Sequence, residues 1–200
     1  MIILGMEQGS PEWFSARLGR PTAGSFQKLI TTKGMRSDQA KKYINELAAE
    51  RLSGERAVGF QSAHMKRGNM IEPVARAAYE FETDSEVMEV GFIVDKSFEF
   101  GCSPDGLIGD SGGLEIKCPA ANTMIGYYKN PQSLVTAYYQ QIQGCIWVSQ
   151  RQWWDVFAYH PTMSRPVLVR VEKDNEFIKK LSDEVDSAVT EIKKLVELYK

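Results

Sequence analysis

Two carboxylates and one amine carry the first hint of chemistry. Asp105 lies in the turn-forming run Ser103-Pro104-Asp105-Gly106, and Glu115-Ile116-Lys117 begins nine residues after Gly106. If the second stretch is a strand, Glu115 and Lys117 project to one face, because strand side chains alternate with period two, while Leu114 and Ile116 point the other way into a core. The glycine-rich segment between Ile108 and Leu114 folds the chain back and can bring Asp105 beside Glu115. Two carboxylates with a main-chain carbonyl are the hard oxygen donors that Mg²⁺ prefers while it keeps positions for water and phosphate oxygen. A neighbouring lysine can orient or deprotonate an attacking water and offset charge developing at phosphorus. The set suits phosphodiester hydrolysis. Each part alone has a plainer reading: Glu-x-Lys is common on solvated strands, and Asp in Pro-Asp-Gly is a turn former.

Elements must place these residues. Ser10-Pro11 reads as an N-cap with proline in the first turn, and Gly19 closes a short helix carrying Trp13, Phe14 and Leu18. A second short helix holds Phe26, Leu29 and Ile30 and ends near Gly34. A third runs from about Ser37 to Leu52, with Tyr43, Ile44, Leu47 and Ala48 on one face. A fourth begins near Asn69, with Pro73 confined to its first turn and Val74, Ala78 and Phe81 sharing a face. After Ser85 the pattern turns to strands at Val87–Asp95, Phe98–Cys102 and Leu114–Cys118. Ser133–Val148 is helical, Trp153–Tyr159 and Val167–Val171 are strands, and Phe177–Tyr199 carries one long apolar stripe. The expected fold class is mixed α/β (α+β), a central mixed sheet flanked by helices in one domain over residues 1–200.

Composition sets the outer limits. The 200 residues carry 24 Lys and Arg against 26 Asp and Glu, a net charge of −2, which excludes a uniformly basic nucleic-acid coat. The basic residues are unevenly spread. Arg17, Arg20, Lys28, Lys33, Arg36, Lys41 and Lys42 face a single acid, Asp38, within one window; at +6 in a chain of −2, that window leaves −8 for the rest. Such asymmetry can be a footprint for a phosphate backbone or a solvated helix face balanced elsewhere. No apolar run approaches a membrane span, and no signal peptide is seen. Three cysteines, Cys102, Cys118 and Cys145, read as buried thiols of a reducing, cytoplasmic protein, and two histidines are too few for multi-histidine chemistry.

Six motifs in order resemble one family. They are Glu7-Gln8-Gly9-Ser10-x-Glu12-Trp13 with Arg17-Leu18-Gly19; Thr22-Ala23; Arg67-Gly68-x-x-x-Glu72-Pro73; Cys102-Ser103-Pro104-Asp105-Gly106; Leu114-Glu115-Ile116-Lys117-Cys118-Pro119; and Tyr138-x-x-Gln141-x-Gln143. From about Glu7 to Ala158 the chain resembles the lambda-type phage exonucleases, or YqaJ-like viral recombinases, of the PD-(D/E)XK nuclease superfamily. The resemblance implies a restriction-endonuclease-like αβββαβ core and a Mg²⁺-dependent 5′-to-3′ exonuclease, with two metals per site and Mn²⁺ able to substitute. Its substrate would be linear double-stranded DNA ends, and its product a 3′ overhang for a single-strand annealing protein. It also implies a homotrimeric ring.

Carried to this sequence, the family pattern makes Asp105, Glu115 and the carbonyl of Ile116 metal ligands, with Lys117 catalytic. Glu72 becomes a helix carboxylate in reach of the metal or its water; the alternative is an i,i+4 pair with Arg76. Gln141 positions water or phosphate, unless Gln140, Gln141 and Gln143 are merely one polar helix face. The pattern makes Arg17 and the hydroxyls of Thr22 and Ser25 the 5′-phosphate contacts, with Gly24 standing where the family has serine. Ser103, Gln143, Lys33 and Arg36 are further DNA-contact candidates. Met65 is either a wedge at the terminal base pair or core filler. Two other readings remain on the same residues: a restriction-like or RecB-like endonuclease, and a non-catalytic DNA-end binder.

Overall fold

The computed structural model describes residues 1–56 and 63–200, with the side chains of residues 63–66 and 69 excepted. Helix α1 (Pro11–Arg17) starts as its sequence dictates, the Ser10 hydroxyl accepting from the Trp13 amide. A 3₁₀ turn, Ala23–Lys28, and helix α2 (Ala40–Ser53) follow, and Gly54 ends α2 in the left-handed region at φ 70°. Helix α3 spans Ala63–Thr83. The remaining helices are α4 (Ala121–Lys129), α5 (Gln132–Ser149) and α6 (Asn175–Tyr199).

Among the described residues, eight strands make two sheets. Strands β1 (Ile2–Leu4), β3 (Phe92–Val94) and β4 (Gly101–Cys102) form a small antiparallel sheet in the order β1-β3-β4. Strands β2 (Val87–Met88), β5 (Gly106–Ile108), β6 (Gly112–Lys117), β7 (Trp153–Ala158) and β8 (Val167–Glu172) form the main sheet in that order. Only β6 and β7 run parallel, so the sheet is mixed as expected. β6 is its middle strand, and Gly112 through Ile116 are all buried. One face meets α5, behind which α2, α6 and the 3₁₀ turn complete the larger core. On the other face, Ala75 and Tyr79 of α3 pack with Leu114, Ile116 and Phe157. Gly112 and Gly113, read from sequence as part of a turn, open β6 instead. A Cβ on Gly113 would stand 2.2 Å from the Trp154 ring, so the indole lies across the strand only because no side chain is there.

Several expectations need correction. Pro73 lies well inside α3, because the helix starts at Ala63 and not near Asn69. The face assigned to α3 is also reversed: Val74 is 55% and Phe81 90% exposed, while Ala75 and Tyr79 are fully buried. Tyr79 decides the register, since its hydroxyl reaches buried Asp155 at 2.7 Å, and Arg170 closes the same carboxylate with two 2.8 Å bonds. The predicted strand Val87–Asp95 is split between the two sheets, β2 and β3. Strand β5 lies in the segment read as a turn, and β1 and α4 were not foreseen. The three cysteines are free thiols, Cys102 and Cys145 buried and Cys118 partly so. Among the described residues, no helix is long and apolar enough to cross a membrane.

Helix α6 is anchored at its start by Asp174, whose carboxylate accepts from the Phe177 amide at 2.9 Å and the Tyr139 hydroxyl at 2.5 Å. These bonds, the amide first, hold its pKa below the usual aspartate value. A carboxylate more acidic in the folded state adds stability above its unfolded pKa and loses it as pH falls through the folded one. Asp174→Ala is therefore expected to cost about 1 kcal/mol at neutral pH. The gap from the parent should narrow below about pH 4, as urea unfolding across pH will show.

Candidate active site

Strand pairing brings the two carboxylates together. The β5–β6 ladder ends at Gly106 opposite Leu114, so β6 has no strand partner on that side from Glu115 onward. Asp105, one residue before β5, fills the gap: its Oδ2 accepts from the Ile116 amide at 2.6 Å. The Lys117 carbonyl instead accepts from the Tyr159 amide on the β7 side. Backbone groups of neighbouring strand residues point to opposite edges, so the Ile116 carbonyl faces the Asp105 side with its amide.

Glu115 is 2% exposed. Its Oε1 accepts from Lys117 Nζ at 2.5 Å and from Gln141 Nε2 of α5 at 2.7 Å. Its Oε2 is buried and, among the described residues, has no hydrogen-bond partner. Such an atom costs stability unless something positive meets it. Asp105 is pushed well above the ordinary aspartate range, first by burial and then by the charge of Glu115. Burial opposes the charge on Lys117, but Glu115 and Asp105 outweigh it and the ammonium is held more firmly protonated than usual. These donors fit a hard divalent cation: two carboxylates, one with a bare buried oxygen, and a main-chain carbonyl on the same side. Among the described residues, no three His, Cys, Asp or Glu side chains are grouped to hold an ion by themselves, so the carbonyl is an essential part of this fit.

Glu72 reaches the neighbourhood from α3 but is ion-paired with Arg76 at 2.9 Å. Burial raises its pKa, Arg76 opposes, and Glu115 and Lys117 both act on it. The structure shows the pair with Arg76, and places Glu72 near enough to Glu115 and Lys117 for their charges to act on it. Gln141 is where the motif put it.

A second, positively charged cavity of about 350 Å³ opens beside α1 and α2, lined among others by Arg17, Arg20, Thr22, Ser25, Lys28 and Tyr43. Arg17 is the unusual member. Its guanidinium stacks 4.1 Å over Trp13 and donates to Ser103 Oγ at 2.9 Å and Thr22 Oγ1 at 3.4 Å. No carboxylate pairs with it among the described residues, and burial lowers its pKa to about 10. A half-buried arginine whose hydrogen bonds among the described residues go to neutral hydroxyls is suited to an anion. Ser103 also accepts from Trp13 Nε1 at 2.9 Å and lies two residues before Asp105. Gln8 donates to the Pro104 carbonyl at 2.8 Å, so the amino-terminal motif fixes the Pro-Asp turn.

Other candidates are placed elsewhere. Arg36 is held by Glu184 and Glu191 of α6. Lys33 is exposed in the same loop, where Gly34 abuts Lys180 of α6. Gln143 is fully buried, donating to the Glu172 carbonyl and accepting from the Asp174 amide, which makes it a brace for the β8–α6 junction. Met65 lies outside the described side chains. Sequence reasoning quoted Tyr138 but gave it no role. Its ring lies 4.4 Å from Lys117 Nζ, at a residue where α5 departs from helical geometry (φ −124°, ψ 16°). Its position three residues before Gln141 was the available signal. Arg67 was also left without a role; it donates to the carbonyls of Cys118 and Pro119 at 3.3 Å and fastens α3 to the end of β6.

Carboxylates gathered at the middle strand of a mixed sheet, with a lysine two residues on and an anion pocket alongside, define a nuclease of exonuclease fold. Residues 12–152 match the YqaJ-like viral recombinase domain, and the chain belongs to that family. Among solved structures it is similar to the alkaline exonuclease LHK-Exo from Laribacter hongkongensis, at 34% identity and TM-score 0.85, over 94% of this chain and 95% of that one. The same enzyme in complex with dAMP matches at 35% identity, with equal TM-score and coverage. A phage-related exonuclease from Haemophilus somnus 129PT shares the fold at 17% identity and TM-score 0.75, over 90% and 96% of the two chains. No curated protein matches the sequence.

Removing one charge tests the site without reference to turnover. Asp105→Asn keeps an acceptor for the Ile116 amide and ends the repulsion with Glu115. In chelator its melting temperature is expected to exceed the parent's by a few degrees. Mg²⁺ should raise the parent's melting temperature and leave the variant's unchanged.

Proposed function

We propose that the protein is a Mg²⁺-dependent 5′-to-3′ exonuclease that degrades one strand of linear double-stranded DNA and leaves a 3′ single-stranded overhang. The observation that carries this reading is the pairing of two sites through one short segment: Ser103 touches Arg17 in the anion pocket, and Asp105 stands beside Glu115. A terminal 5′-phosphate held by Arg17, Thr22 and Ser25 sets the following phosphodiester at the carboxylates. The similarity to LHK-Exo, a structure of which contains dAMP, supports a nucleotide at such a site.

Asp105, Glu115 and the Ile116 carbonyl would hold the cation, two ions in the full site, with Glu72 in reach through water. Once bound, the ion supplies Lewis acidity at the phosphate and a more acidic water, and Mn²⁺ can replace Mg²⁺. Lys117 keeps its proton between Glu115 and the Tyr138 ring, where it orients water and offsets charge gathering on the phosphate oxygens. Gln141 fixes the Glu115 carboxylate and so the direction of its free oxygen. Burial of the site excludes bulk water, which strengthens each of these interactions.

Family membership supports three further proposals: a homotrimeric ring, a partner protein that anneals the 3′ strand in phage-type recombination, and action in the cytoplasm.

Linear duplexes labelled at either 5′ or 3′ end, with a closed circular duplex in parallel, test the reading. Mg²⁺-dependent loss of the 5′ label first, with the circle intact, is expected; cutting of the circle would mark an endonuclease. Lys117→Ala should lower the rate at least about a hundredfold while duplex-end binding persists. Arg17→Ala should reduce the preference for a 5′-phosphorylated over a 5′-hydroxyl end by about tenfold or more. Digestion by Lys117→Ala at the parent rate would remove that residue from the chemistry.

A further inference from the structure

Two arginines, not one, stand over aromatic rings of α1. Trp13 and Phe14 are consecutive, and their rings meet edge to face with centroids 4.9 Å apart at 70°. Arg17 stacks over Trp13, and the Arg56 guanidinium lies 4.3 Å from the centre of the Phe14 ring. Gly54 ends α2 in the left-handed region, and two residues later the chain brings Arg56, an exposed residue, to the wall of the cavity that Arg17 lines. A ring beneath an exposed guanidinium restrains the side chain and leaves its N–H donors free to point outward.

The charges around this cavity are not equivalent. Lys28 pairs with Glu46 at 3.7 Å. Arg20 donates its Nε–H to the Phe98 carbonyl at 2.6 Å and an Nη1–H to the Ala16 carbonyl at 2.9 Å. Glu50 accepts from the Gly19 amide at 2.9 Å. Arg17 donates to the hydroxyls of Ser103 and Thr22, and Arg56 makes no hydrogen bond or ion pair among the described residues. Two positive charges without a carboxylate partner among those residues therefore face one cavity of about 350 Å³. Like charges so placed repel, and an anion between them turns the interaction favourable.

We infer that Arg56, held by Phe14, supplies a second positive charge to the terminal 5′-phosphate, so that the cavity selects a dianionic monoester end over a monoanionic ester. This rests on the reading that Arg17 binds that phosphate. A phosphate monoester carries about two negative charges near neutral pH and a phosphodiester about one, so a single guanidinium offsets only half of the terminal charge. Arg17, fixed by Trp13 and two hydroxyls, meets either kind of phosphate. Arg56 approaches from the exposed rim and answers the additional charge. Its ring support means that little side-chain freedom is lost when the ligand arrives.

Linear duplexes that end in a 5′-phosphate, its methyl ester or a 5′-hydroxyl present about two, one and no negative charges at the terminus. The test compares kcat/KM on the three ends for the parent, Arg56→Gln and Arg17→Ala. Arg56→Gln keeps a flat polar group over Phe14 and removes the charge at an exposed position, where folding does not depend on it. It is expected to lower the ratio of phosphate to methyl ester about tenfold and to leave the ratio of methyl ester to hydroxyl within about twofold. An equal fall on all three ends marks a general contact with the DNA backbone and overturns the inference. So does a fall confined to the ratio of methyl ester to hydroxyl, or no change in either ratio. In each of these cases the Arg17 reading stands if Arg17→Ala still lowers the ratio of methyl ester to hydroxyl. Arg17→Ala with every ratio unchanged removes the phosphate from this cavity and overturns both.

Discussion

The site depends on two like charges held together against their repulsion. Asp105 and Glu115 come from different segments, Glu115 buried on the middle strand and Asp105 half-buried at its edge. The Ile116 amide holds one carboxylate, while Lys117 and Gln141 hold the other. These donors satisfy part of the charge and leave Glu115 Oε2 bare. A fold would not favour such an arrangement for its own stability. It is the arrangement expected of a cradle for positive charge, the role proposed above for a divalent cation.

The surrounding scaffold can be understood as what this strain demands. β6 is the middle strand and is covered on both faces, so Glu115 cannot turn to solvent. The end of the β5 ladder leaves the Ile116 amide and carbonyl without a strand partner, and that gap becomes the binding edge. From α5, Gln141 and Tyr138 close over Glu115 and Lys117, with the helix distorted at Tyr138. Arg67 ties the opposite helix to the carbonyls just past Lys117. The cavity beside α1 is joined to the carboxylates by covalent continuity: Ser103 takes hydrogen bonds from Trp13 and Arg17, and two residues later Asp105 meets the Ile116 amide. A ligand that shifts Arg17 therefore pulls on the same short turn that positions a carboxylate.

Much of this could be read from the residues themselves, and the failures have identifiable causes. The Ser10 cap, the long stripe of α6 and the β6 alternation are local patterns, and all three appear as expected. Helix α3 shows the limit. Its apolar residues lie on more than one face, and the face of Val74 and Phe81 read from the sequence is exposed while Ala75 and Tyr79 are buried. The choice was made by Asp155 and Arg170, which lie far along the chain and capture the Tyr79 hydroxyl. The basic window from Arg17 to Lys42 divides in the same way. Arg17, Arg20 and Lys28 line the cavity, while Arg36 is neutralised by α6. Charge counting has no means of seeing a partner about 150 residues away.

What the sequence by itself determined was the chemical inventory: which carboxylates, which lysine, and the period-two spacing that puts Glu115 and Lys117 on one face. Those are properties of neighbouring residues and need no knowledge of the rest of the chain. Tertiary structure alone decided how close Asp105 comes to Glu115, that one oxygen of Glu115 has no partner among the described residues, and that Gln143 braces the β8–α6 junction while Gln141 reaches Glu115. Each of these turns on burial and on partners brought from distant segments, and local spacing carries no record of either.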